Sequence, residues 1–266
     1  MFATLKHYAR LYVLIEAQYI KARMGYRADF IISSVGMLFA NAASLIVFWT
    51  LFQTIPSLAG WDFHEIVFIY GFYLLAVSPA QIFFDHIWQL RDHVDEGTFI
   101  KYYFRPLNMM FYYMSEMVDL KGFAQVVVGV GALAYASIQL GIPWTVGRVL
   151  LLVVAVFSAS MVVTALLVMA ACSCFWVLYS FAILNFAFRM REYGQYPTSI
   201  FNGLLRFIFT YVIPIGFMAF YPSQLFLRPD QVSWLIWISP LVGFALFALA
   251  YQVWTWGVNS YTGTGS

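Results

Sequence analysis

The sequence predicts an all-α integral membrane protein. Its parts are six transmembrane helices, an N-terminal amphipathic interfacial helix and a short cytoplasmic helix between spans two and three. Three observations predict it. The 266 residues are 63% hydrophobic and 10% charged, whereas a soluble domain carries roughly a quarter charged residues, and the mean hydropathy is +0.80. The apolar residues come in continuous runs of about 20, enough for a helix to cross a hydrocarbon core of about 30 Å, and not in the alternation of a barrel strand. Of the 14 Lys and Arg, all but Arg148 and Arg228 fall on the side that holds the N-terminus, which places both termini in the cytoplasm. The formal charge of +2 is too small to point to nucleic acid, so membrane lipids are the expected surroundings.

The chain divides into an interfacial helix, residues 1–29, and a six-helix transmembrane domain, residues 30–266. In the first, Lys6, Arg10, Lys21, Arg23 and Arg27 interleave with Leu5, Tyr8, Tyr12, Ile15 and Tyr19 at three- and four-residue spacing. That stripe suits a helix lying at headgroup depth, and no small-residue cleavage site follows to make it a signal peptide. The first span, about 30–52, carries Gly36, Ala40 and Ser44 on one face, where another helix can approach closely. The loop 53–65 lacks Lys and Arg and marks the outer face, with Trp61 and Phe63 as anchors. Its Asp62-Phe63-His64-Glu65 run reads as a helix cap before it reads as a metal site.

A second span, about 66–87, is interrupted by Ser78-Pro79 and should kink there. Asp85 and His86 at its inner end are expected at the membrane interface. The third span covers about 118–138, and its Gly129-Val130-Gly131 string supplies small residues for helix contact, since no strand precedes it to make a nucleotide-binding turn. The fourth, about 148–176, is longer than one crossing requires and holds Cys172 and Cys174 as buried packing residues. Residues 179–196 mix apolar side chains with Arg189, Arg191 and Glu192, the pattern of an interfacial helix inside the cell. Pro197 opens the fifth span, about 199–220, with Arg206 near the inner face. Pro214 and Pro222 break its aromatic outer end into a re-entrant or interfacial segment. The sixth span covers about 232–257.

Chemistry is sparse. The four histidines do not form a ligand cluster by spacing, no catalytic triad or intramembrane carboxylate pair is visible, and no G-x-x-x-x-G-K-[ST] loop cradles a phosphate. No catalytic or metal-binding residue is therefore assigned, and the chain is expected to need no cofactor of its own. The outstanding feature is the polar island 89–109, QLRDHVDEGTFIKYYFRPLNM, between two apolar spans. A few helix-forming residues lead to Gly97, and Arg105-Pro106 stops any helix before the next run. Such an element suits docking of a soluble partner, through Asp92, His93, Val94, Asp95, Glu96, Gly97, Thr98, Phe99, Arg105 and Pro106. The acidic residues would meet a basic surface while Val94 and Phe99 fill an apolar cleft. The plainer alternative is a solvated loop that only sets topology.

Tyr26-Arg27-Ala28-Asp29-Phe30, Asp95 through Phe99, Tyr103-Phe104-Arg105-Pro106-Leu107, Tyr196-Pro197, 209–222 and Tyr261-x-Gly263-x-Gly265 together resemble a bacterial branch of the type-2 ABC transporter permeases. The resemblance covers nearly the whole chain. It implies a permease subunit of an ATP-driven exporter in the bacterial inner membrane, paired with a second permease, the same or homologous. Two ABC ATPase subunits would bind ATP and Mg below it, and the segment matching 93–99 would be the coupling helix. The second and fifth spans would face the partner permease, with Pro79, Phe209, Tyr211, Pro214, Phe217, Phe220, Tyr221 and Pro222 as pathway and gate residues. The aromatic content of 20% departs from the pattern and fits a bulky amphipathic cargo or plain lipid packing. An intramembrane enzyme lacks polar catalytic residues here, and a self-sufficient channel or secondary carrier lacks the buried ion-coupling carboxylate it usually shows.

Overall fold

A computed structural model describes residues 2–23, 27–229 and 234–262. Its helices are α1 (Phe2–Arg23), α2 (Arg27–Thr54), α3 (Phe63–Phe84), α4 (Leu90–Asp95), α5 (Met109–Met114), α6 (Lys121–Gln139), α7 (Val146–Cys172), α8 (Ser180–Glu192), α9 (Gly203–Phe207), α10 (Phe220–Leu227) and α11 (Trp234–Ser260). Five helical stretches are long and apolar enough to cross a membrane: Ile31–Thr54, Phe63–Asp95, Lys121–Gln139, Val146–Phe175 and Trp234–Ser260. Among the described residues there is no strand, only an isolated bridge between Leu58 and Trp61. Tyr26, Gly263 and Gly265 of the resemblance motifs lie outside the described residues, as do the side chains of Leu5, Lys6, Tyr8, Arg23 and Arg27.

The bundle is built around α3. Asp62 caps it by accepting from the Glu65 amide at 2.8 Å while Glu65 accepts from the Asp62 amide at 3.0 Å, so the acidic run is a capping box. The helix runs through Pro79 to Phe84, with the Ser78 hydroxyl donating to the Leu74 carbonyl one turn back at 2.6 Å. Its most apolar stretch is 78% buried within the chain, against 11% for α2. The second span therefore offers no broad face to a partner, contrary to what the resemblance implies, and exposed apolar surface lies on α2 and also on α6, α7 and α11. Gly71 lets α6 come close: a Cβ there would sit 2.7 Å from the Leu133 amide nitrogen. Gly129 returns the approach against Leu74 and Leu75, whereas Gly131 meets open space. Gly36 likewise meets nothing within 4 Å and Ala40 is exposed, whereas Ser44 on the same face of α2 is half-buried beside Tyr70.

Two cores result. The larger gathers α3, the middle of α7 and the segment from Phe209 to Phe226. The smaller joins Leu90, Phe99, Tyr102 and Tyr113 to the ends of α7 and α11, with Cys172 and Cys174 buried as free thiols.

Residues 179–228 differ from the expectation. The α8 helix packs on α7 and starts where Phe181 and Phe188 meet Trp88. Beyond it Gly194 lies against Tyr73, halfway along α3, Tyr196 meets Phe48, and Ser199 accepts from the Trp61 indole at 2.8 Å at the opposite end of the bundle. A helix flat against the Trp88 end could not make these contacts. The segment 199–220 is not one span. It begins at the Trp61 end and breaks into a short turn, the five-residue α9, a π-helical stretch (Ile208–Val212), Pro214, a 3-10 turn (Ile215–Met218) and then α10. Arg206, expected near the inner face, is exposed on this hairpin. The Ile213, Ile215 and Phe217 amides donate to the Ile208, Ile213 and Pro214 carbonyls within the segment, and the Thr210 and Tyr221 hydroxyls pair at 2.6 Å. Arg228 pins the returning strand of the hairpin, bonding Glu65 at 2.8 Å and lying 3.7 Å above the Trp61 ring.

Candidate functional site

The polar island folds as a knuckle at the Trp88 end. After α3 the chain tightens into a 3-10 turn (Asp85–Gln89), makes six residues of α4 and stops at Gly97, whose φ of 73° is left-handed and favours glycine. A second 3-10 turn (Thr98–Phe104) then buries Phe99 and Tyr102 and leaves Tyr103 and Phe104 exposed.

Phe99 points inward and is 0% exposed. Its ring meets those of Tyr102, Phe175, Trp254 and Tyr261 at centroid distances of 5.2 to 6.2 Å. Val94 is buried in the same core. The assignment of Phe99 and Val94 to a partner's cleft is therefore corrected: both anchor the knuckle to this chain's own helices. The reason is local, because the tight turn after Gly97 aims position 99 at the helix ends and positions 100 and 104 at solvent. Ile100 is 43% exposed and Phe104 78%, next to exposed Asp92, Asp95, Glu96, Lys101, Arg105 and Pro106.

Further bonds stiffen the knuckle. Arg91 pairs with Asp95 at 3.0 Å, and His93 Nδ1 lies 2.9 Å from the Thr98 hydroxyl. The Tyr103 hydroxyl donates to the Val258 carbonyl in α11, and the Tyr113 hydroxyl to the His86 carbonyl at 3.0 Å. Glu116, between α5 and α6, accepts from the Tyr102 hydroxyl at 2.6 Å and from Lys101 at 3.3 Å, with His86 Nε2 at 3.6 Å. Burial alone would raise the Glu116 pKa. The nearby His86 ring, the hydrogen bond from Tyr102 and the charge of Lys101 outweigh it and hold it down at about 2. His86 is 5% exposed, not at an interface as expected, because the 3-10 turn folds it beneath Tyr113. Glu116 went unremarked in the sequence, although a lone carboxylate in the apolar run 109–118 is a visible signal. The roles of Trp254 and Tyr261, over 150 residues away, leave no such trace.

The expected gate residues are placed less uniformly. Phe209, Phe217, Phe220 and Tyr221 are buried in the larger core, Pro214 and Pro222 with them, while Tyr211 is exposed and Pro79 half-buried. Phe220 packs edge-on against Trp61 and Phe217 against Tyr221. In this conformation the four aromatic rings seal the chain's own interior and do not face a second copy.

A multi-pass helical membrane protein, with a charged knuckle locked to its helix ends and no phosphate-binding loop in its sequence, has the makings of a transport subunit driven from outside itself. A family model described as ABC-2 family transporter protein matches residues 38–265. The chain belongs to that family, as a permease subunit and not the ATPase. Comparisons with curated proteins and with solved structures return no match.

Proposed function

We propose that this permease works as an exporter subunit in a bacterial inner membrane, pairs with a second permease, identical or homologous, and is driven by two ATPase subunits that dock on the knuckle. ATP and Mg chemistry belongs to those subunits. On this reading both termini are cytoplasmic, residues 180–199 make the fifth crossing, and 203–227 form a hairpin dipping in from the outer side and returning. The observation that carries it is the two-sided knuckle. Asp92, Asp95, Glu96, Ile100 and Phe104 form an exposed acidic and apolar face, while Phe99, Tyr102 and Tyr103 tie the same turn to α7 and α11. A partner gripping the outer face moves helix ends, not a slack loop, and hot-spot anchors of this kind cost about 2 kcal/mol or more when lost.

The test is co-purification of the chain with its ATPase in mild detergent. Phe104→Asp and Glu96→Arg should each reduce ATPase recovery at least severalfold with the permease melting temperature unchanged. Full recovery with both variants would remove the knuckle as the docking site. Isolation of an active transporter without any ATPase would favour the self-sufficient carrier.

A further inference from the structure

An apolar cavity of about 310 Å³ opens between α1, α3, α5 and α11 beside the knuckle. Tyr12, Phe83, Phe84, Met110, Phe111 and Phe247 line it, the Tyr12 ring lying 6.4 Å from Phe83 and 6.3 Å from Phe111. One turn further along α1, on the face of Tyr12, stands Glu16, which is only 7% exposed. Neither of its carboxylate oxygens, nor the Tyr12 hydroxyl, meets full hydrogen-bond geometry with a partner among the described residues, although the two side chains lie close enough to interact with each other. Arg10 and Lys21, on the same helix, are exposed. Burial raises the Glu16 pKa, and the Tyr12 hydroxyl alongside draws it partly back. A buried carboxylate with no cation among the described residues is costly, and a cation brought in by a ligand would offset that cost.

We propose that this cavity is a lateral binding port for a lipophilic ammonium compound, the alkyl body lodging among the aromatic rings and the ammonium donating to Glu16 and Tyr12. The charge sign selects the class. An anionic amphiphile meets a like charge at Glu16, and a neutral chain fills the cavity but leaves the carboxylate unanswered. Tyr12, Phe83 and Phe111 add ring faces that attract a cation. Binding stands on its own; only the role of the ligand as cargo or regulator rests on the permease reading.

The experiment uses the full chain in a nonionic detergent and a dodecylamine bearing a terminal diazirine. Light should attach it to peptides containing Phe83–Phe84 or Met110–Met114. Unlabelled dodecylamine should compete about tenfold better than dodecanol or dodecanoate, the factor that one charged hydrogen bond supplies. Glu16→Gln should abolish that preference and leave labelling by the matching dodecanol probe intact. Phe83→Trp, which fills the cavity and keeps the carboxylate, should weaken labelling by both probes. Equal competition by the three compounds in the unaltered chain, attachment elsewhere, or an unchanged preference in Glu16→Gln overturns the proposal. Loss of ATPase co-purification leaves each of these outcomes as it is, so the two readings fall separately.

Discussion

Phe99 is where the sequence misleads at the scale of a residue. An apolar side chain among charges, between two spans, has the composition of a docking plug, and nothing nearby reveals that Trp254, Phe175 and Tyr261 close over it. Which neighbour of Gly97 faces inward is decided by a turn too tight for helical periodicity to read. Phe99→Ala should lower stability by about 3–5 kcal/mol, the usual cost of emptying an aromatic site in a core, seen as a depressed melting temperature in detergent. The same change at Phe104 should leave the melt unaltered. Glu116 gives a pH signature. Its pKa is depressed, so the stability it contributes is complete above the ordinary value of 4.5 and is lost as pH falls toward about 2. Melting curves across that window should flatten in Glu116→Gln; an unchanged slope would place the acid sensitivity elsewhere.

Among the elements, existence was easier to read than course. Hydropathy located α2, α3, α6, α7 and α11 to within a few residues, because each must bury or expose to lipid a run of apolar side chains. It also placed small residues in α6, of which Gly129 is used against Leu74 and Leu75 and Gly131 is not, while Gly71 of α3 was not singled out. Gly71→Ala puts a methyl group against backbone that cannot yield, so α3 and α6 must separate, at a cost of about 1–3 kcal/mol. A melting temperature equal to that of the parent chain would show that the crossing is looser than its geometry. The passage from α8 to the hairpin was misread for an equally physical reason. Arg189, Arg191 and Glu192 depress the hydropathy of α8, while 203–220 is apolar apart from Arg206 and Thr210, and hydropathy cannot separate a crossing from a hairpin that turns back. The prolines signalled broken structure but not that its two ends share one side.

For the whole molecule the decisive contact is Trp61 with Ser199. It places the start of the hairpin at the end of the bundle opposite the knuckle. Asn202→Cys in intact cells should therefore react with a membrane-impermeant maleimide added outside, as Ser57→Cys should, whereas Phe104→Cys should react only after the cells are opened. Protection of Asn202→Cys alone would restore 199–220 as the crossing. The family, the helical class and the lack of an ATP-binding loop were all legible from the chain itself. The inward aromatic anchors and the Arg228 clasp were not, since each joins residues far apart in sequence, whereas Glu116 left a visible signal without showing its partners.

The separation into two packed bodies has a mechanical consequence. Only α7 and α11 contribute extensively to both, Ala155 to Leu167 and Ile236 in one, Ala165 to Cys172 and Ala250 to Val258 in the other. They are two parallel rods passing through two collars. Under the docking proposed above, torque taken up by the core beside the knuckle would reach the other core as twist along those rods, and the stiffness of two helices would set how far the far end turns.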